Sequence, residues 1–266
     1  MDYSIFLEKA KEIALEAGKM VRSKQEIQHT VQSKSKYDFV TEVDEASEEM
    51  ITSFLHSQFP DHLFFGEEAV SSSQEEEDDV IGKLPDDKYI WVIDPIDGTT
   101  NFIRGIPFYA ISIALMRNKE IFVGVIYDIA RNKLYYTAKN EKSYCDGKEI
   151  KVSDVDSLDK AIGVTSFPTD INYRKKTLKT LTDNGDDILS MRIYNCAALA
   201  ACSIASGISD FYMEYGIHLW DFAAGKLLIE NAGGKFTDID GKPFHVYQKH
   251  VRASNGNLHN QMEKLI

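Results

Sequence analysis

The stretch that constrains the fold most runs from Tyr89 to Phe102. Its first five residues, Tyr89-Ile-Trp-Val-Ile93, are apolar, β-branched and aromatic, which predicts a buried strand. The run stops at Asp94 and Asp97. Two carboxylates at the end of a central strand are costly to desolvate without a partner, and a hard divalent cation is a suitable one. Since backbone N–H groups after Gly98 would suit an anion, the stretch indicates a metal site beside a phosphate site.

Composition narrows the class of protein. A chain of 266 residues with 43% hydrophobic residues predicts a folded globular protein of one large domain or two ordinary ones. The net charge of −12 argues against nucleic acid and against anionic membrane surfaces as partners. The three cysteines, Cys145, Cys196 and Cys202, have no metal-binding spacing and indicate reduced thiols. Together with the lack of a leader pattern or a long apolar span, they predict a cytoplasmic protein.

The first part of the chain predicts two amphipathic helices and an antiparallel sheet. The helices come from stripes in the first twenty-odd residues and after Asp44. Successive strands with hairpin signals follow the Asp94 stretch, ending at the turn Asp146-Gly147. Two polar segments, Thr30–Tyr37 and the acidic Ser71–Lys83, predict exposed loops.

The character of the chain changes after Tyr144. Strand patterns alternate with helix patterns from Ala161 to Ile239, which predicts an α/β arrangement. We therefore expect an N-terminal α+β domain over residues 1–144 and a C-terminal α/β domain over residues 145–266.

Further acidic residues stand at the ends of predicted elements. Thr41 and Asp44 could cap the second helix, or Asp44 could point into a site as a base. Glu67 follows a short strand ending at Gly66, and Asp221 falls in the first turn of a helix, where a carboxylate favours the helix dipole. Taken singly, each has a plain structural explanation.

Taken together, these residues resemble the inositol monophosphatase family, within the lithium-sensitive Mg-dependent phosphatases. The resemblance rests on four motifs in the family's order and covers nearly the whole chain. They are Asp38-Phe-Val-Thr-Glu-Val-Asp44, Gly66-Glu-Glu68, Asp94-Pro-Ile-Asp-Gly-Thr-Thr-Asn-Phe102 and Trp220-Asp-Phe-Ala-Ala-Gly225. It implies the layered α-β-α-β-α sandwich of the inositol monophosphatase and fructose-1,6-bisphosphatase type.

The resemblance also implies a site for two to three Mg²⁺ ions and a phosphate ester. The implied metal ligands are Glu67, Asp94, the carbonyl of Ile96, Asp97 and Asp221. The implied substrate-binding residues are Asp97, Gly98, Thr99, Ala197 and Glu214. Thr99 and Asp44 would form the catalytic relay that deprotonates the attacking water. Carboxylates suit this chemistry, because Mg²⁺ is hard and can neutralise a phosphate dianion and lower the pKa of a water.

The predicted function is hydrolysis of inositol 1-phosphate to inositol and phosphate, by in-line attack of a metal-activated water. The resemblance further implies a homodimer and inhibition by lithium. Departures from the animal enzymes at Ala69 and at Tyr194-Asn195-Cys196 keep the 2′-phosphate of NADP and fructose 1,6-bisphosphate open as substrates. A haloacid-dehalogenase-type phosphatase is less consistent with the sequence, because Asp94 and Asp97 are one residue too far apart for its motif. A catalytically silent, metal-binding regulator is the rival hypothesis from outside the enzymes.

Overall fold

The computed structural model describes residues 3–25, 31–35, 38–73 and 75–266. Within these ranges the helices are α1 (Ser4–Lys24), α2 (Glu42–Gln58), α3 (Glu67–Ser72), α4 (Glu77–Lys83), α5 (Thr99–Ile103), α6 (Ile171–Asp183), α7 (Ala197–Ala205) and α8 (Leu219–Asn231). Short 3₁₀ turns occur at Leu158–Lys160, Gly185–Asp187 and Gln261–Leu265. No helix in the described ranges combines the length and the apolar character needed to cross a bilayer.

The strands form two main sheets and one small hairpin. They are β1 (Val31–Ser35), β2 (Asp38–Thr41), β3 (Leu63–Gly66), β4 (Ile90–Asp97), β5 (Ala110–Arg117), β6 (Glu120–Asp128), β7 (Lys133–Ala138), β8 (Tyr144–Cys145), β9 (Lys148–Glu149), β10 (Ile162–Thr165), β11 (Ser190–Ile193), β12 (Phe211–Tyr215), β13 (Lys235–Asp238) and β14 (His250–Ser254).

The first sheet has the order β3-β4-β5-β6-β7-β8-β9. All of its pairs are antiparallel except β3 with β4, which run parallel. The predicted antiparallel sheet is therefore confirmed from β4 onwards. The predicted hairpin turn is also confirmed, because Asp146 and Gly147 both adopt positive φ angles, 50° and 81°, between β8 and β9.

The second sheet has the order β11-β10-β12-β14-β13. Its strands β10, β11 and β12 are parallel, and β14 is antiparallel to β12 and β13. The predicted alternation of strands and helices is confirmed here, although β14 was not predicted. The first sheet extends to Glu149 and the second begins at Ile162, so the division at residue 144 stays a prediction.

Helices and sheets alternate in layers. Helices α1 and α2 pack on one face of the first sheet, while α7 and α8 lie between the two sheets and α6 contacts β12 of the second. Helix α8 is buried on almost every side, because residues such as Phe222, Ala224 and Leu228 contact apolar surfaces in both directions. This layering brings the start of α8 to the end of β4.

Strand β4 contains one extra residue at its carboxyl end. Asp94 pairs with Ser112 of β5 and Asp97 pairs with Ala110, so three steps along β4 match two steps along β5. Side chains three positions apart would face opposite sides of a regular strand. Because the extra residue forms a β-bulge, both aspartates face the α8 side, and Ile96 faces the α1–α2 side.

Two loop predictions are wrong. Residues 31–35 form strand β1 and pair with β2, whereas residues 30, 36 and 37 lie outside the described residues. The acidic segment 71–83 contains the end of α3 and all of α4, with residue 74 outside the described ranges. Helix α4 forms because Ile81 packs into the core between the sheets, with acidic residues in the first turn and Lys83 in the last.

Candidate active site

A cavity of about 460 Å³ opens where the end of β4 meets the starts of α7 and α8. It is lined by every predicted metal-binding and substrate-binding residue: Glu67, Asp94, Ile96, Asp97, Gly98, Thr99, Ala197, Glu214 and Asp221. Asp44 lies directly behind Thr99 and is buried. The structure therefore brings all of the predicted site residues to one place.

Asp94 and Asp97 are both buried at the end of β4. Asp94 is 1% exposed, and its Oδ1 accepts a hydrogen bond of 3.0 Å from the backbone N–H of Ile96. Burial raises the pKa of Asp94 well above its ordinary value, and the charges of Glu67 and Asp97 raise it further. Burial also raises the pKa of Asp97 to about 7, although the N–H of Ala198 donates to Asp97 Oδ2 at 2.5 Å. Both carboxyl groups lie where a positive charge would stabilise them.

Glu67 reaches the cavity because β3 lies parallel to β4 and ends beside it. It is the first residue of α3, directly after Gly66. The start of α3 is held by Glu48 of α2, whose carboxylate accepts hydrogen bonds from the N–H groups of Glu68 (2.8 Å) and Ala69 (2.9 Å). These two hydrogen bonds, accepted by a side chain that is only 8% exposed, hold the turn that carries Glu67.

Asp221 lies in the first turn of α8. Its Oδ2 accepts a 2.8 Å hydrogen bond from the backbone N–H of His218, which is the residue that caps the helix. The helix-end role expected for a lone aspartate is thus present, and the side chain lines the cavity as well. Burial raises the pKa of Asp221 well above its ordinary value, in spite of the nearby His218.

Thr99 and Asp44 form a direct contact. The hydroxyl of Thr99 lies 3.1 Å from Asp44 Oδ1, and it also lies 3.0 Å from the carbonyl oxygen of Ile96. The second carboxylate oxygen of Asp44 accepts hydrogen bonds from the N–H (2.9 Å) and the hydroxyl (2.5 Å) of Thr41. Asp44 therefore completes a capping box for α2 and contacts Thr99 at the same time. Burial raises the pKa of Asp44 to about 6.

Gly98 shapes the turn between β4 and α5. Its φ angle of 90° lies in the left-handed region, and a Cβ at this position would lie 2.8 Å from the carbonyl oxygen of Phe108. Glycine therefore allows the backbone to turn from Asp97 into α5 without strain. The turn brings the N–H groups of Gly98 and Thr99 to the start of a short helix.

Ala197 and Glu214 come from the C-terminal part of the chain and also line the cavity. Ala197 begins α7, directly after the buried Cys196. Glu214, on β12, accepts hydrogen bonds from Ser166 at 2.8 Å and from the hydroxyl of Tyr212. Burial raises the pKa of Glu214, while these two hydrogen bonds lower it.

The donor set of this cavity fits a hard divalent cation. No lysine or arginine in the described part of the chain forms an ion pair with Asp94, Asp97 or Asp221, and four other carboxylates act on Asp94. Within the described ranges, no three His, Cys, Asp or Glu side chains are already gathered around one metal position. Mg²⁺ nevertheless suits such a site, because it keeps several waters and needs few carboxylates. A bound cation would relieve the mutual repulsion of these buried carboxylates.

Sequence reasoning missed one polar cluster at the rim of the cavity. Glu77 of α4 accepts hydrogen bonds from the N–H of Leu219 (2.9 Å) and pairs with His218 (2.8 Å) and Lys249. The ring of His218 stacks on Trp220. Desolvation lowers the pKa of His218, but the hydrogen bond to Glu77 and the charge of Asp221 raise it to about 9. The acidic first turn followed by Val80 and Ile81 was the available signal for α4.

Comparisons with known proteins agree with this geometry. A family model described as "Inositol monophosphatase family" matches residues 2–266. Inositol monophosphatase 1 from Sus scrofa is 34% identical over 262 residues, which cover 96% of this chain and 89% of that protein. A structure of the extragenic suppressor protein suhB from Bartonella henselae has a TM-score of 0.87 at 28% identity and 98% coverage of both chains. An IMPase structure from Thermotoga maritima has a TM-score of 0.85 at 30% identity, covering 100% of this chain and 96% of that one.

The family resemblance and the layered fold predicted from the sequence are thereby confirmed. A match to the family along almost the whole chain, with the same fold in solved relatives, means that this chain belongs to the inositol monophosphatase family and is a phosphatase.

Proposed function

We propose that the protein is a Mg²⁺-dependent phosphomonoesterase that hydrolyses inositol 1-phosphate to inositol and phosphate. The observation that carries the proposal is the convergence of buried carboxylates beside the Thr99–Asp44 contact in one cavity. The names of the relatives, inositol monophosphatase 1 and 2, support the choice of substrate.

The metal ligands would be Glu67, Asp94, the carbonyl of Ile96, Asp97 and Asp221, for two to three ions. Mg²⁺ bound there would neutralise the phosphate dianion and lower the pKa of a nearby water. The protein contributes the burial of Asp94 and Asp97, which excludes bulk water and strengthens electrostatic interactions in the cavity.

The proton of the attacking water would pass to the Thr99–Asp44 pair. When Thr99 donates its hydroxyl hydrogen to Asp44 Oδ1, its oxygen can accept a proton from water. With a pKa raised to about 6, Asp44 is mostly ionised at pH 7 and can take the proton that Thr99 releases. The water oxygen then forms the new P–O bond as the ester P–O bond breaks, and the leaving inositol oxygen takes a proton from a second water positioned by Asp221.

The substrate would lie between α5 and α7. The N–H groups of Gly98 and Thr99 would bind the phosphate oxygens, as helix starts bind anions. Asp97, Ala197 and Glu214 would face the inositol ring, and Glu214 could accept hydrogen bonds from ring hydroxyls. The 2′-phosphate of NADP and fructose 1,6-bisphosphate remain alternative substrates for the same site.

A panel of phosphate esters tests the proposal. Purified protein is assayed for phosphate release from inositol 1-phosphate, NADP and fructose 1,6-bisphosphate, with Mg²⁺ and with EDTA. We expect the highest kcat/KM for inositol 1-phosphate, loss of activity in EDTA and in Asp94→Asn, and no change in Asp79→Asn, where an exposed carboxylate is replaced. If inositol 1-phosphate is the slowest ester, the substrate assignment is wrong.

Two rival hypotheses predict different results. A phospho-aspartate trapped during turnover would favour the haloacid-dehalogenase-type mechanism over direct attack by water. Mg²⁺ binding without turnover of any ester would favour the silent regulator.

We further propose a cytoplasmic homodimer inhibited by Li⁺, as the family resemblance implies. Light scattering after size exclusion measures the mass of the assembly against the 30.1 kDa chain. An assay with LiCl, matched in ionic strength by KCl, measures the inhibition.

A further inference from the structure

Glu77 connects three separate segments at the rim of the cavity. Its Oε1 accepts a 2.9 Å hydrogen bond from the N–H of Leu219, the first residue of α8. Its Oε2 lies 2.8 Å from Nδ1 of His218 and also pairs with Lys249. Lys249 is held in turn, because its carbonyl accepts hydrogen bonds from Gly216 (2.7 Å) and Ile217 (2.9 Å). One carboxylate thus joins α4, the start of α8 and the approach to β14.

The position of Glu77 is fixed by the face of α4 that it shares with Ile81. Residues four apart lie on the same side of a helix. Ile81 is 1% exposed in the core between the sheets, and Glu77 is 8% exposed. Asp79, two residues further on, is exposed on another side of the same helix. Burial without its partners would be costly for Glu77, so the hydrogen bonds and the packing of α4 support each other.

Asp221 depends on this arrangement. The start of α8 presents N–H groups that need acceptors, and two carboxylates share them. Asp221 Oδ2 accepts from the N–H of His218, while Glu77 accepts from the N–H of Leu219 and binds the His218 ring. Without Glu77, the Leu219 N–H, the His218 ring and Lys249 would lack this acceptor. Asp221 is the other carboxylate at the same helix end, so these groups would compete with a metal ion for it.

We propose that Glu77 is a positioning residue for the Mg²⁺ site: by binding Leu219, His218 and Lys249, it keeps Asp221 available to the metal ion. This inference rests on the proposed Mg²⁺-dependent function. Groups that orient metal ligands through hydrogen bonds typically change metal affinity or activity about 10–100-fold when they are removed.

The test measures Mg²⁺ binding without substrate, by calorimetry and by the rise in Tm on adding Mg²⁺. Glu77→Ala is compared with Glu77→Gln and with Asp79→Asn, which removes the same charge from the exposed part of α4. We expect the Kd for Mg²⁺ to rise about 10–100-fold in Glu77→Ala. A smaller rise is expected in Glu77→Gln, whose amide oxygen can still accept from the Leu219 N–H, and kcat at saturating Mg²⁺ should recover towards the wild-type value.

Three outcomes would overturn the inference. One is an unchanged Kd in both Glu77 variants, and another is an equal loss in Asp79→Asn, which would indicate a general charge effect. The third is a lower Tm without metal at an unchanged Kd, which would indicate a purely structural role. If Glu77→Ala does not fold, the near-isosteric Gln variant decides. If the wild-type protein itself binds no Mg²⁺, the proposed function fails and this inference fails with it, whereas an active, Mg²⁺-binding wild type isolates the role of Glu77.

Discussion

The hydroxyl oxygen of Thr99 lies 3.1 Å from Oδ1 of Asp44, although 55 residues separate them in the chain. The two residues should therefore act as a unit in catalysis. We expect Thr99→Ala and Asp44→Asn each to lower kcat by about 10²–10⁴-fold, because each removes one half of the proton acceptor. The double variant should lose little more than either single variant, as is usual for groups that work together. Steady-state kinetics at saturating Mg²⁺ measure this. Thr99→Ser keeps the hydroxyl and should retain most of the activity, whereas fully additive losses would contradict a shared role.

Thr41 should affect stability more than catalysis. Its hydroxyl accepts a hydrogen bond from the N–H of Val43 and completes the capping box of α2 with Asp44. Thr41→Ala should lower the free energy of unfolding by about 1 kcal/mol, and Thr41→Ser should lower it much less. Urea unfolding of both variants checks the difference. Because the Thr99–Asp44 contact does not need Thr41, kcat should fall far less than in Asp44→Asn; an equal fall would mean that capping and catalysis cannot be separated.

The metal-free protein should lose stability as pH rises from about 4 to 7. Burial raises the pKa of Asp44 to about 6 and of Asp97 to about 7, from an ordinary value of 3.8. In this window the folded state holds protons that the unfolded chain has released, so the free energy of unfolding falls with increasing pH. The Tm in EDTA, measured across this range, should therefore decline, and the decline should be shallower in Asp97→Asn.

Addition of Mg²⁺ should counteract the decline of Tm with increasing pH. Metal binding requires deprotonated carboxylates, so the rise in Tm caused by Mg²⁺ should grow with pH over the same range. A metal-free Tm whose slope is the same in wild type and Asp97→Asn would contradict the raised pKa of Asp97. KCl at matched ionic strength controls for screening of surface charges.

Replacing Gly98 should impair both folding and activity. An alanine there would be strained by a φ angle of 90° and would bring its Cβ to 2.8 Å from the carbonyl oxygen of Phe108. Gly105 provides a matched control, because its φ angle is 68° but nothing lies within 4 Å of the position of its Cβ. Gly105→Ala should cost about 1–2 kcal/mol of stability and leave kcat unchanged. Gly98→Ala should cost more and lower kcat/KM as well, and equal effects in unfolding and kinetic assays would contradict a special role for this turn.

Local sequence patterns correctly predicted the elements whose formation depends on neighbouring residues in the chain. The buried strand β4, the hairpin at Asp146-Gly147 and the strand–helix alternation after Ala161 all follow from periodicity and turn residues. The acidic segment was wrongly predicted as a loop because its charges outweighed the signal from Ile81. The contact of Glu77 with His218 joins residues 141 positions apart, so it depends on how the layers pack and not on any local pattern.

The candidate active site could likewise be predicted only in part from the sequence. Most of the predicted site residues lie in the four motifs, and the structure brings them to one cavity, with Asp44 behind Thr99. The double use of Asp44, as a helix cap and as a partner of Thr99, could not be predicted, because sequence spacing presented these as alternatives. Asp44 has both roles because its two carboxylate oxygens face different partners: Oδ2 contacts Thr41 and Oδ1 contacts Thr99.

The extra residue in β4 also limits how this segment can change during evolution. It keeps Asp94 and Asp97 on one face of the sheet while Ile96 packs on the other. In a regular strand of the same length, Asp97 would face the apolar layer beneath α1 and α2. A deletion of one residue would restore regular pairing and leave both aspartates on one face, but it would also remove the extra peptide group that the bulge supplies. The backbone of the bulge has its own contacts, because the carbonyl oxygen of Ile96 lies 3.0 Å from the Thr99 hydroxyl and the N–H of Ile96 donates to Asp94 Oδ1. Substitutions between the two aspartates can preserve these backbone contacts, whereas a change of length would disturb them. The spacing of this motif is thus a geometric requirement of the bulged strand, independent of which phosphate ester the site takes.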